Sequence, residues 1–185
     1  MTAPVPLVYP LAGLLAEPAG TERRYEIHGA TIALPDDLRV IEPVNGRARV
    51  TRTNRGVLVD ADLSTTIAGS CSRCLRDIEI PMRVDIREEV LPTIDLATGR
   101  HIDTSTEPEV ARLSDHHELD LAALAGEAIS LDEPIAPLCE AACPGLCITC
   151  GERLGPDHVA HDDDEIDPRL AALQGFRVDG AGESE

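Results

Sequence analysis

The sequence predicts an α+β fold: an antiparallel, meander-like sheet, one covering helix and a cysteine-rich zinc-knuckle segment towards the C-terminus. Three features support this class. Residues 57–68 and 78–87 alternate apolar and polar side chains with the period of two that half-buried strands have. Residues 120–131 carry apolar side chains at helical spacing. Four cysteines lie within the twelve residues from Cys139 to Cys150.

The predicted sheet is centred on residues 47–90. We expect a short strand over 47–53, a turn at 54–56 and a longer strand over 57–68. The alternation resumes after the sequence CSRCL and continues to Arg87. The first cysteine pair therefore lies at the tip of an antiparallel hairpin. The pattern is compatible both with an open sheet and with one that curls into a partial barrel.

The covering helix is predicted to begin after Asp120, which is a suitable N-cap, and to end before Pro134. Its apolar residues recur at i, i+3, i+4, i+7 and i+8, which gives one stripe for packing on the sheet. These residues are Leu121, Leu124, Ala125, Ala128 and Ile129.

The chain divides into three predicted parts. Residues 1–135 form the β-rich core with its covering helix, although the first 45 residues are mixed in pattern. Residues 136–174 form a cysteine-rich, metal-binding segment that ends in a short helix over 167–173, with Asp167 at its cap. Residues 175–185 are rich in Gly and Glu and are predicted to be disordered.

All six cysteines are candidate metal ligands, because thiolates are soft ligands that suit zinc or iron–sulfur. The spacing of Cys147 and Cys150 lets both sulfurs face one ion. The rest of the site is open: Cys139 and Cys143 complete a local site, or Cys71 and Cys74 complete it across the fold. His158 and His161 either replace a cysteine or belong to a solvated acidic loop. We favour the loop, since four cysteines suffice for zinc.

Net charge is −18, and most of it belongs to the C-terminal part. Residues 101–185 carry four arginines against twenty acidic residues, and the chain has no lysine. Nucleic-acid affinity comes largely from basic side chains that neutralise phosphates, so this part is predicted not to bind RNA directly. A basic protein partner is electrostatically more favourable. Solubility alone also accounts for an acidic surface.

The sequence gives no sign of export or membrane insertion. The N-terminus lacks the charged region of a signal peptide, and no run of eighteen apolar residues occurs. We therefore expect a cytoplasmic protein with reduced cysteines rather than a disulfide framework.

Several of these motifs together resemble the YceD family of large ribosomal RNA subunit accumulation proteins. They are CSRCL between alternating strands, then PLCEAACPGLCITCGERL, then IDPRLAAL, within residues 45–173. The resemblance implies a bacterial cytosolic factor that supports accumulation of 23S rRNA in ribosome biogenesis. Its expected partner is a ribosomal protein or the pre-ribosomal large subunit.

Two other functions compete with that expectation. Clustered cysteines also occur in iron–sulfur or thiol redox proteins, but ferredoxins normally have two-residue spacers, and here they are three, three and two. Direct rRNA binding would need the N-terminal arginines on one face. Their even mixture with acids favours pairing or solvation instead. The arginines are Arg23, Arg24, Arg39, Arg47, Arg49, Arg52 and Arg55.

No enzyme is predicted. The chain lacks a Gly-rich phosphate loop, a G-x-S-x-G sequence and the His/Glu spacing of a hydrolytic zinc site.

Overall fold

The computed structural model describes residues 7–34, 38–103, 105, 107–159, 161, 169 and 170. Six strands and two helices occur in this part of the chain. In chain order they are β1 (Val8–Pro10), α1 (Ala12–Leu15), β2 (Glu22–Ala30), β3 (Arg39–Arg52), β4 (Val57–Ser70), β5 (Asp77–Val90), β6 (Glu118–Asp120) and α2 (Leu121–Leu131).

The main sheet is an antiparallel meander with the order β2-β3-β4-β5. Its outer strands, β2 and β5, are not paired with each other in the described residues, so the sheet is open and is not a closed barrel. The α+β class with an antiparallel meander is therefore confirmed.

The alternation of apolar and polar residues along β4 and β5 separates a buried face from a solvated face, as predicted. Leu63 pairs with Val84, and Ala61 pairs with Ile86, so their side chains share one face of the sheet. That face is buried, whereas Asp62 and Asp85 point to the opposite, solvated face. The buried residues on this face of the two strands are Val57, Val59, Ala61, Leu63, Thr65, Ile67, Ile80, Met82, Val84, Ile86 and Val90.

Helix α2 covers this face, as predicted. The Asp120 carboxylate accepts a hydrogen bond from the Ala123 N–H at 3.1 Å, which caps the helix. The stripe of Leu121, Leu124, Ala125 and Ile129 is buried, and the helix packs against β5 and β1. Burial of this stripe, rather than intrinsic propensity, supplies most of the stability of so short a helix.

The first 45 residues contribute more structure than their sequence indicates. β1 pairs with β6, α1 buries Leu14 and Leu15, and β2 is an edge strand of the main sheet. In β2 the side chains of Arg23 and Tyr25 are half-buried, and therefore the strand shows only a weak alternation of apolar and polar residues. Strands of three residues, such as β1, give no detectable period.

β3 begins at Arg39 rather than at the predicted residue 47. Its pairing with β4 shifts register between Val40 and Asn45, and these bulges obscure the alternation. Gly46 has φ 153°, and a Cβ there would lie 2.1 Å from the Asp62 carbonyl oxygen. Only glycine fits where the two backbones approach so closely.

The predicted division at residues 135 and 174 remains a prediction, and the tail over 175–185 lies outside the described residues. The same holds for the predicted helix over 167–173, except for Arg169 and Leu170. None of the helices in the described part of the chain has the length and hydropathy that a membrane span requires.

Candidate metal centre

The first cysteine pair occupies the loop between β4 and β5, at the hairpin tip. The Cys71 N–H donates to the Arg76 carbonyl at 2.8 Å, and the Leu75 N–H donates to the Cys71 carbonyl at 2.9 Å. Leu75 adopts a left-handed conformation with φ 55°. This tight loop turns both thiols inward, and both are buried.

The chain after α2 returns to this tip. The Ser72 N–H donates to the Pro137 carbonyl at 2.8 Å, and the following turn places Cys139 and Cys143 against the first pair. The Sγ atoms of Cys71 and Cys143 are 3.7 Å apart, as are those of Cys74 and Cys139. All four sulfurs lie within 4.8 Å of one another.

These distances suit one tetrahedral ion. Two thiolates that bind zinc at about 2.3 Å with tetrahedral angles are about 3.8 Å apart. A disulfide would bring two sulfurs to about 2.05 Å. The four thiols therefore have the separation of ligands around a shared ion, and they could hold a metal.

The protein environment treats the four thiols unequally. The backbone N–H of Cys74, followed by that of Cys139, lowers the pKa of the Cys71 thiol to about 6. Burial raises the pKa of the Cys139 thiol to about 12 and also raises that of Cys143. Cys71 is thus ready to act as a thiolate, whereas Cys139 needs a cation beside it to ionise. Metal affinity at this group should fall as the pH is lowered.

A second group of potential ligands lies further along the chain. Cys147, Cys150, His158 and His161 have ligand atoms within 4.8 Å of one another. The Cys150 Sγ is 3.4 Å from the His158 Nε2, and the two imidazole centroids are 5.2 Å apart. Cys147 is buried, His158 is half-buried, and Cys150 and His161 are exposed.

A short hairpin builds this second group. The Cys147 N–H donates to the Glu152 carbonyl at 2.7 Å, and the Gly151 N–H donates to the Cys147 carbonyl at 2.9 Å. Gly151 has φ 74°, a conformation that glycine adopts without strain. The Thr149 N–H lies 3.4 Å from the Cys147 sulfur.

The grouping differs from both arrangements that the sequence left open. Cys71 and Cys74 lie with Cys139 and Cys143, and neither pair lies with Cys147 and Cys150. The two histidines lie beside the second cysteine pair, where they could act as ligands. Their assignment to a solvated acidic loop stays a prediction. That the six cysteines bind metal remains a prediction.

Two arginine side chains connect the loops that carry the ligands. Arg73, in the hairpin tip, donates to the Cys143 carbonyl at 3.0 Å. Arg153, just after the second cysteine pair, donates from Nε to the Cys74 carbonyl at 2.9 Å and from Nη2 to the Leu75 carbonyl at 3.3 Å. Each arginine thus links one ligand-bearing loop to the backbone of another.

A groove of about 1050 Å³ opens beside the hairpin tip. Ser70 and Asp77, which flank the cysteine loop, belong to its lining. The remaining lining includes apolar Ile41 and Ile78, a single arginine and three further polar or acidic residues; these are Arg39, Glu79, Ser130 and Glu133.

Most of the N-terminal arginines are engaged within the protein. Arg47 pairs with Asp62 at 2.8 Å, and Arg49 pairs with Asp60 at 2.7 Å. Arg55 pairs with Glu107, Arg24 with Glu22, and Arg52 donates to the carbonyls of Leu15 and Gly56. The seven arginines therefore do not form one unpaired basic surface.

The fold and the ligand groups define a class of protein: a small open-sheet α+β protein with a cysteine-rich appendage that could hold metal. Residues 59–177 match the family described as "Large ribosomal RNA subunit accumulation protein YceD". The chain belongs to the YceD family, which is not known as a family of enzymes.

Similar proteins occur in mycobacteria and are named only as uncharacterized. Proteins of Mycobacterium bovis and Mycobacterium tuberculosis are 35% identical over 125 residues, which is 68% of this chain and 58% of each relative. A Mycobacterium leprae protein is 30% identical over 140 residues, 74% of this chain and 62% of its own length. The chain thus spans about three fifths of these relatives. No solved structure matches it.

Proposed function

We propose that this chain is a non-enzymatic cytoplasmic factor in biogenesis of the large ribosomal subunit, where it supports accumulation of 23S rRNA. It acts by engaging a basic ribosomal protein or an assembly intermediate, and structural zinc shapes the engaging surface. Membership of the YceD family is the observation that carries this proposal, because the family description names large-subunit ribosomal RNA.

The groove beside the hairpin tip supports a basic protein as the partner. Asp77, Glu79 and Glu133 line it against a single arginine, Arg39. Ile41 is 43% exposed in the same groove and offers an apolar contact. A lysine- or arginine-rich segment that carries an aliphatic side chain would complement both properties.

The first ligand group supports a structural role for the metal that we propose. Four thiolates fill the coordination sphere of a tetrahedral ion and leave no position for a substrate water. The ion would hold the hairpin tip and residues 139–143 together, next to the groove. Its contribution is therefore to the shape of the surface and not to catalysis.

The geometry gives less support to the two competing functions. In a cluster of two or four irons the four cysteines are divided among different irons, so sulfurs on different irons lie further apart than ligands of one ion. Here all four sulfurs of the first group lie within 4.8 Å of one another. Direct rRNA binding would need unpaired basic side chains. Arg47, Arg49 and Arg55 instead pair with acidic residues.

Depletion and complementation test the proposal. In the bacterium that carries this gene, depletion should lower the ratio of 23S to 16S rRNA, and the wild-type gene should restore it. A variant with Asp77→Arg and Glu79→Arg should fail to restore it, because the groove would repel a basic partner. Glu88→Arg with Glu127→Arg makes the same charge change on exposed residues outside the groove and should complement. An unchanged ratio on depletion contradicts the function, whereas full complementation by the groove variant contradicts only the surface.

A further inference from the structure

We infer that Cys147, Cys150, His158 and His161 form a second metal site, with its own ion, which exchanges metal more readily than the four-thiolate group. The inference goes beyond the proposed function, since it concerns a second ion and does not depend on the ribosomal role.

The geometry matches two thiolates and two imidazoles around one tetrahedral ion. With zinc at about 2.3 Å from sulfur and about 2.05 Å from nitrogen, a sulfur and a nitrogen are about 3.6 Å apart. The Cys150 Sγ and the His158 Nε2 are 3.4 Å apart. A soft and borderline donor set of this kind suits zinc and is unsuited to the oxygen-seeking ions calcium and magnesium.

Two ions follow because each ligand group is complete by itself. The first group already offers four sulfurs, all within 4.8 Å, so it has no need of Cys147 or Cys150. The second group offers four ligands from a stretch of fifteen residues, 147–161, and draws none from the sheet. A zinc-binding hairpin of this length can form locally once the metal is present.

Burial distinguishes the two sites. In the first group Cys71, Cys74 and Cys143 are 0%, 4% and 2% exposed and Cys139 is half-buried, so a chelator can reach three of the four ligands only after local opening. In the second group Cys150 and His161 are exposed to solvent. An exposed ligand can leave the ion and be replaced by a competing ligand, and therefore the second ion should be released first.

The second site is connected to the first through Arg153. The backbone of Arg153 forms an antiparallel β-bridge with Leu146 across the hairpin, and the Leu154 N–H donates to the Gly145 carbonyl at 3.0 Å. The guanidinium of Arg153 then reaches the carbonyls of Cys74 and Leu75. An ion at the second site closes the hairpin that positions this arginine against the first site.

Metal stoichiometry of the full chain provides the test. The protein is loaded with zinc under reducing conditions, freed of excess metal, and measured by elemental analysis and native mass spectrometry. Wild type should contain two zinc ions per chain. His158→Ala with His161→Ala should contain one, while the matched control His28→Ala with His101→Ala, which removes two exposed histidines elsewhere, should contain two.

A conservative variant separates loss of a ligand from loss of the fold. His158→Cys keeps a zinc ligand at that position and should retain two ions, whereas His158→Ala should lose one. One ion in wild type, or two ions in the variant that lacks both histidines, would overturn the second site.

The order of release is measured with a coloured zinc chelator. Wild type should release one equivalent in a fast phase and the other at least about tenfold more slowly. The fast phase should be absent from the variant with His158→Ala and His161→Ala. A single phase that releases both ions together in wild type would overturn the claim that the second site exchanges first.

Discussion

The sheet body and the cysteine-rich segment obtain their shapes from different forces. The body buries aliphatic side chains between the inner face of the sheet, α2 and the N-terminal residues. In the described residues from 132 to 161, by contrast, only Cys143, Gly145 and Cys147 are buried, and Ile135, Ile148 and Val159 are exposed. The hydrophobic effect can fold the body, but it has almost no apolar surface to remove from water in the segment. Backbone hydrogen bonds hold the segment instead, together with the metal ions that we propose.

Removal of Cys71 and Cys74 should have the largest effect, and that effect should be confined to the cysteine-rich segment. Cys71→Ser with Cys74→Ser should remove one ion per chain and free residues 137–154 from the hairpin tip, because binding energy of a structural ion is folding energy. Limited proteolysis should cleave this stretch about tenfold faster or more, while the body resists. Ser70→Ala, on an exposed residue of the same hairpin, is the control. Unchanged resistance of the segment in the double variant would contradict the contrast.

A cavity in the sheet body should destabilise the body itself and leave metal binding unchanged. Ile129→Ala removes a side chain that is 0% exposed on α2 and should lower the free energy of unfolding by about 2–5 kcal/mol, without loss of metal. Leu131→Ala, in the same helix but 88% exposed, should change it by less than about 0.5 kcal/mol. Urea unfolding followed by circular dichroism measures both. Similar losses for the two variants would show that α2 does not pack as described.

The link between the two regions should have an intermediate effect. Arg153→Ala removes hydrogen bonds to the carbonyls of Cys74 and Leu75 and should cost about 1 kcal/mol in local stability of residues 145–154. Hydrogen exchange should be faster there and unchanged in β4. Arg100→Ala, on an exposed residue distant in sequence, should leave exchange in 145–154 unchanged. Equal exchange in both variants would contradict the link.

The smallest effect is expected on the solvated face of the sheet. The hydrogen bond from Arg47 lowers the pKa of the Asp62 carboxyl, so the pair stabilises the folded protein above the unfolded pKa of Asp62. This stabilisation is lost as the pH falls through the lowered pKa. Arg47→Gln should therefore lower the melting temperature slightly at neutral pH and not at strongly acidic pH, because exposed pairs contribute little. A difference that persists at acidic pH would rule out this pair as its source.

The sequence predicted the elements that have strong, long-range alternation. β4, β5 and α2 each present one mostly apolar face, and the solvent-facing residues Asp62 and Asp85 mark the other side of the sheet. β2 and the first part of β3 were missed, because partly buried Arg23 and Tyr25 weaken the pattern in one and bulges near Glu42 shift it in the other.

The grouping of the cysteines could not be predicted for a different physical reason. Spacing shows which cysteines can share an ion locally. Cys139 reaches Cys74 because the chain returns to the hairpin tip after α2, where the Ser72 N–H donates to the Pro137 carbonyl. That contact depends on the tertiary path. The sequence does carry an indication that His158 lies near Cys150, since two histidines follow the cysteine pair within eleven residues.

Hydrogen exchange of the wild-type protein before and after metal removal tests the central contrast most directly. After treatment with a strong zinc chelator under reducing conditions, amides over 137–154 should lose their protection, while those of β4, β5 and α2 keep theirs. Loss of protection across the whole chain would show that the body also depends on metal. Unchanged protection over 137–154 would show that the segment holds its shape without it, and either result contradicts the account.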